Sequence, residues 1–97
     1  MGQRIEVVDT RVIDDSMIVT TDRSLTGADG EGYVSAQGAA GESTFGAKLA
    51  SDLFESDDSI SRVYVASNVI ILQREGGWLH DAEASSNSVI EEFFLYY

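Results

Sequence analysis

Two short runs of apolar, largely β-branched residues, Arg62 to Ala66 and Val69 to Gln73, are separated by Ser67 and Asn68 alone. A connection that short joins antiparallel neighbours, because a parallel pair needs a crossover of about a dozen residues or more. The segment therefore reads as a hairpin, and a hairpin needs something to cover its apolar face. Placing Val63 and Val65 on one strand with Ile70 and Leu72 on the other gives that face, in a register that the sequence alone does not fix.

Two stretches have the spacing to supply the cover. Between Thr44 and Glu55, apolar side chains fall at Phe45, Leu49, Leu53 and Phe54, which places one stripe on a helix, with Ser43 or Thr44 to cap it. A second helix is predicted from Asp81 or Ala82 to about Leu95, with Val89, Ile90, Phe93, Phe94 and Tyr97 at helical spacing. Ser88 and Glu91 resemble a capping box, but a start there would leave a long structureless stretch after Trp78. Upstream, Arg4 to Asp22 reads as two strands joined by a turn at Asp14 to Ser16, and the glycine-dense stretch from Leu25 to Gly41 reads as loop with a short edge strand at Tyr33 to Ala36. The order is ββ(β)αββα. At 97 residues the chain is expected to form a single domain over 1–97. The fold class expected is α+β, a two-layer sandwich of an antiparallel sheet of about four strands with two helices on one face.

The charge narrows the partners. Seventeen Asp and Glu against six Lys and Arg give a formal net charge of −11, and Lys48 is the sole lysine. Phosphate backbones and anionic lipid surfaces are bound by clustered Lys and Arg, so neither nucleic acid nor a membrane surface is an expected partner. Self-repulsion of this size is screened at molar salt, where the Debye length is about 3 Å, and the composition is like that of proteins from salt-loving archaea. Met1 to Thr10 has no continuous apolar core of a signal peptide, and no window approaches the ~18 apolar residues of a membrane span, so the expected location is the cytoplasm.

Catalytic and metal chemistry find little support. The chain has no cysteine, which removes thiolate ligands and thiol nucleophiles. His80 is the lone histidine, beside Asp81 and Glu83, and reads as a solvated turn residue, since a metal site draws three or four convergent ligands. No Gly-x-Ser-x-Gly elbow accompanies the serines. Gly38 to Thr44 faintly echoes a phosphate loop, but Glu42 stands where a lysine is needed, and Gly27 to Gly32 lacks the ligand spacing of a calcium loop. The pairs Asp14-Asp15, Asp57-Asp58 and Glu91-Glu92 read as solvated turns and an outer helix face. No cofactor, metal or catalytic residue is assigned. The tail Phe93-Phe94-Leu95-Tyr96-Tyr97 cannot turn every side chain to one core: Leu95 and Tyr96 either cap the sheet edge or form an exposed patch, which makes them the candidate partner contacts.

The element order and three segments resemble the N-terminal domain of the Nfu/NifU-type iron–sulfur scaffold proteins. Ala40-Gly41 before a helix ending in Leu53-Phe54 is similar to that family's first helix. Ile60-Ser61-Arg62-Val63-Tyr64-Val65-Ala66-Ser67-Asn68-Val69-Ile70-Ile71-Leu72 looks like its hairpin, and Trp78 with Ile90-Glu91-Glu92-Phe93-Phe94 looks like its last helix. Proline, which that family uses after the first strand and at the first helix, is absent here. In the family the cluster-binding Cys-x-x-Cys lies in a separate domain. The resemblance therefore implies a non-catalytic interaction or accessory module near iron–sulfur protein maturation, not a cluster carrier, with a maturation factor or apoprotein as partner. A small metal-dependent enzyme around His80, or an oligomeric structural domain, is the alternative.

Overall fold

The computed structural model describes residues 5–25 and 30–96, with 94–96 as backbone only. Strands β1 (Val7–Ile13), β2 (Ser16–Thr21), β3 (Glu31–Tyr33), β4 (Ile60–Ala66) and β5 (Val69–Arg74) form one sheet in the order β1-β2-β5-β4-β3, with every neighbouring pair antiparallel. Among the described residues three helices accompany it: α1 (Ala36–Ala40), α2 (Phe45–Ser56) and α3 (His80–Tyr96). The α+β sandwich expected from the sequence is the fold observed. Among the described residues, no helix is long and apolar enough to cross a membrane.

The β4–β5 hairpin sits at the centre of the sheet's pairing. Val63 pairs with Leu72 and Val65 with Ile70, and β2 continues both rows, with Met17 opposite Leu72 and Val19 opposite Ile70. All six are fully buried. They meet Leu49, Ala50 and Leu53 of α2, Ile90 and Phe93 of α3, and Ala39 of α1 in one core. Leu-sized side chains buried to this extent contribute about 1.5–3 kcal/mol each by removal from water. Both tight turns begin with a left-handed residue, Asp14 at φ 55° and Ser67 at φ 56°. Short polar side chains tolerate that region better than branched ones, which explains their placement between β-branched runs.

Several boundaries differ from the sequence reading. The stretch expected as loop and edge strand holds β3 two residues earlier than Tyr33 to Ala36, and a short helix, α1, capped by Ser35, whose hydroxyl accepts from the Gly38 N–H at 3.0 Å. Gly27 and its neighbours in 26–29 lie outside the described residues. Thr44 caps α2, accepting from the Ala47 N–H at 3.2 Å. Phe45, expected in the core stripe, is 47% exposed. As the first residue of α2 it leans on Phe93 edge to face, at 6.3 Å, while Lys48 lies over its ring at 5.6 Å from the centroid. Small residues Gly46, Ala47 and Ala50 take the buried positions instead, which lets the helix approach the sheet closely.

Asp57 also departs from expectation. It is largely buried at the C-cap of α2 and accepts from Arg74 Nε at 2.7 Å and from the Ser59 N–H at 2.9 Å. Arg74 in turn donates through Nη1 to the Gly77 carbonyl at 2.9 Å, tying α2, β5 and the approach to α3 together. Trp78 closes the same corner by donating from Nε1 to the Asp15 carbonyl at 2.9 Å. Burial pushes the Asp57 carboxyl up, but the Arg74 hydrogen bond, the Ser59 N–H and the guanidinium charge outweigh it and hold it below its ordinary 3.8. A depressed carboxyl contributes stability above its unfolded value, and that contribution is lost as pH falls through the folded value. Asp57→Asn is expected to cost about 1–3 kcal/mol near neutral pH. In denaturant titrations across pH, the gap between wild type and variant narrows below about 3.8.

Candidate functional site, the helix-free face of the sheet

Strand side chains alternate, so the register that buries Met17, Val19, Val63, Val65, Ile70 and Leu72 turns their neighbours to the other face. One row crosses all five strands there: Arg11 opposite Ile18, Ile18 opposite Ile71, Ile71 opposite Tyr64, and Tyr64 opposite Gly32. A second row runs Ile13, Ser16, Gln73, Arg62, and a third runs Asp9, Thr20, Val69, Ala66. Ile18, Tyr64, Val69 and Ile71 are half-buried and, among the described residues, no helix lies over them. They form an apolar centre with a polar margin, and a shallow depression of about 200 Å³ opens between Arg62, Tyr64, Ile71 and Gln73.

The charge on this face is unlike that of the whole chain. In a protein with 17 acidic and 6 basic residues, these three rows carry the carboxylate of Asp9 and the guanidiniums of Arg11 and Arg62. Carboxylates crowd other parts of the surface. Glu6, Asp22 and Glu91 surround a second depression beside Ile5, of about 340 Å³. Asp22 there accepts from the Glu6 N–H at 3.1 Å, the main influence holding its carboxyl below the ordinary range. Asp52, Glu55 and Glu92 rim a groove between α2 and α3 of about 370 Å³, floored by Val89 and Phe93.

Tyr64 owes its position to glycine. A Cβ at Gly30 would stand 2.4 Å from the Tyr64 hydroxyl oxygen, and one at Gly32 would stand 3.1 Å from its ring. The ring thus lies across the edge strand where side chains are missing. Behind that strand, Tyr33 donates to Glu31 Oε1 at 2.7 Å, and Thr44 donates to the same oxygen, fastening β3 to the start of α2. Burial pushes the Tyr33 hydroxyl up, and its bond to the Glu31 carboxylate acts in the same direction.

The residues singled out from sequence fall elsewhere. His80 is exposed at the first residue of α3. Among the described residues, no group of three or more His, Asp or Glu is placed to hold a metal ion. The candidate contacts Leu95 and Tyr96 lie in α3, but their side chains are outside the described ones. Glu42 is exposed between α1 and α2. The apolar row was missed although its signal was present. Once Val63, Val65, Ile70 and Leu72 are assigned inward, Tyr64 and Ile71 are left on a face that strict alternation would make polar.

Gly30 has φ +76°, where an added side chain costs about 1–2 kcal/mol from the backbone alone. Gly30→Ala is expected to lose stability by about that amount and to displace the Tyr64 ring, read as a shift of its aromatic proton resonances.

No protein-family model matches the chain, and no curated protein matches it. Among solved structures, it is similar to protein SAV1430 from Staphylococcus aureus, with a TM-score of 0.65 and 11% identity over 89% of this chain and 99% of that one. A likeness at that identity is a likeness of fold.

Proposed function

We propose that the protein is a non-catalytic interaction module that docks a protein partner on the helix-free face of its sheet. The observation that carries the reading is the composition of that face: half-buried Ile18, Ile71, Val69 and Tyr64, flanked by Arg11 and Arg62, in an otherwise strongly acidic chain. Interface cores are depleted in Asp, Glu and Lys and enriched in aromatic residues and Arg, and this face follows that pattern. A compact row of apolar side chains also costs free energy while it faces water, a cost that a partner would remove.

The resemblance to the N-terminal domain of Nfu/NifU-type scaffold proteins supplies the class of partner: an iron–sulfur maturation factor or an apoprotein awaiting its cluster, in the cytoplasm. Without cysteine the chain would not carry the cluster itself. Its part would be to position the partner.

The test is a titration of isotope-labelled protein with purified maturation factors and apoproteins from the same organism, at the salt of its cytoplasm. Amide shifts are expected to concentrate on Ile18, Tyr64, Ile71 and Gln73, and Tyr64→Ala is expected to weaken binding by about 2 kcal/mol or more. Shifts confined to the helices, or none with any iron–sulfur protein, would sink the reading.

A further inference from the structure

The outer edge of β1 carries a sequence that is complementary to itself when reversed. Val7 to Ile13 reads Val-Val-Asp-Thr-Arg-Val-Ile, centred on Thr10. Two such strands laid antiparallel about Thr10 set Asp9 of each against Arg11 of the other, with Val8 and Val12 beside them; the register shift between Val7 and Asp9 turns Val7 toward the core opposite Thr21 and ends the regular pairing there. We infer that β1 is a self-pairing edge, through which two copies of this chain join their sheets about a twofold axis at Thr10.

The edge is available. Among the described residues β1 stands at the end of the strand order, with β2 on one side and no strand on the other. Val8, Val12 and Ile13 are 57%, 42% and 58% exposed, which is unusual for three large apolar residues in one strand. The backbone is oriented for pairing. The turn at Asp14 and Asp15 makes Ile13 and Ser16 the closing pair of a two-residue hairpin, so Ile13 and Arg11 bond inward to β2. Thr10 and Val12 then turn their N–H and C=O groups outward. In the paired arrangement Thr10 would exchange bonds with its own copy, and Asp9 would face Arg11 at the closer, non-hydrogen-bonded spacing, where cross-strand ion pairs are most favourable.

Charge decides the partner. Within one chain Arg11 Nε lies 3.1 Å from Asp9 Oδ2, but the two side chains are 75% and 52% exposed. Such a pair contributes little in water and is readily exchanged for the equivalent pair across strands. The like charges that the same register brings together, Glu6 and Asp14, lie beyond the strand at either end, Asp14 in the turn. A register shifted by two residues would lose the reciprocal Asp9–Arg11 pairs, so the second copy is specified by its alignment and not by exposed apolar surface alone.

The experiment uses the full chain and measures mass in solution by sedimentation, alongside circular dichroism to verify folding. The wild type is expected at twice its 10.5 kDa. Asp9→Arg and Arg11→Asp, at exposed positions, are each expected to be folded and monomeric, although they move the net charge in opposite directions. The double variant that exchanges the two residues regains the dimer, and an equimolar mixture of the two single variants forms a mixed dimer, seen by native mass spectrometry. A wild type that remains at 10.5 kDa, or a dimer indifferent to either reversal, would overturn the proposal, as would single variants that fail to associate with each other.

Discussion

The pairing of Val63 with Leu72 and of Val65 with Ile70 decides what every other strand shows to water. Because side chains alternate with a period of two, a slip of one residue would carry the whole apolar set of β5 to the opposite face. The register is held from both sides: Met17 and Val19 of β2 extend the same rows, and Leu49, Leu53, Ile90 and Phe93 close over them. Arg74 and Trp78 fix the far corner, where β5 leaves the sheet and α3 begins. The helix-free face is a consequence of this choice, since Ile18, Tyr64 and Ile71 occupy the positions left over.

Much of the fold was legible because it follows from local chemistry. The Ser67–Asn68 turn, the alternation on either side of it and the stripe from Leu49 to Phe54 each name one structure, and each lies where expected. Phe45 was misread because periodicity treats a helix as uniform, whereas its first residue stands half-exposed against Phe93 of α3. The glycine-rich stretch was misread because glycine frequency says nothing about caps, and Ser35 is enough to start a short helix before Gly41 ends it. Asp57 was read as a solvated turn residue because its partner, Arg74, is distant in sequence.

The functional face was less legible for a related reason. A search for chemistry looks for His80, acid pairs and loops near glycines, and among the described residues no three of the acids and His80 converge on a metal site. Among the described residues, an interaction surface instead consists of what is missing: helices above the sheet, side chains at Gly30 and Gly32, and every carboxylate but that of Asp9 in the rows from β1 to β3. In a chain of net charge −11, carboxylates left off a face are as informative as carboxylates gathered on one.

Adjacent residues of β5 test the central claim, which is the register and the two faces it creates. Ile71→Lys and Leu72→Lys place the same charge one residue apart, and urea unfolding compares their stabilities. With this register Ile71→Lys is expected to fold with a loss of about 1 kcal/mol, its ammonium in water beside Tyr64, whereas Leu72→Lys loses more than about 4 kcal/mol or does not fold. Equal losses, or a larger loss at Ile71, would contradict it.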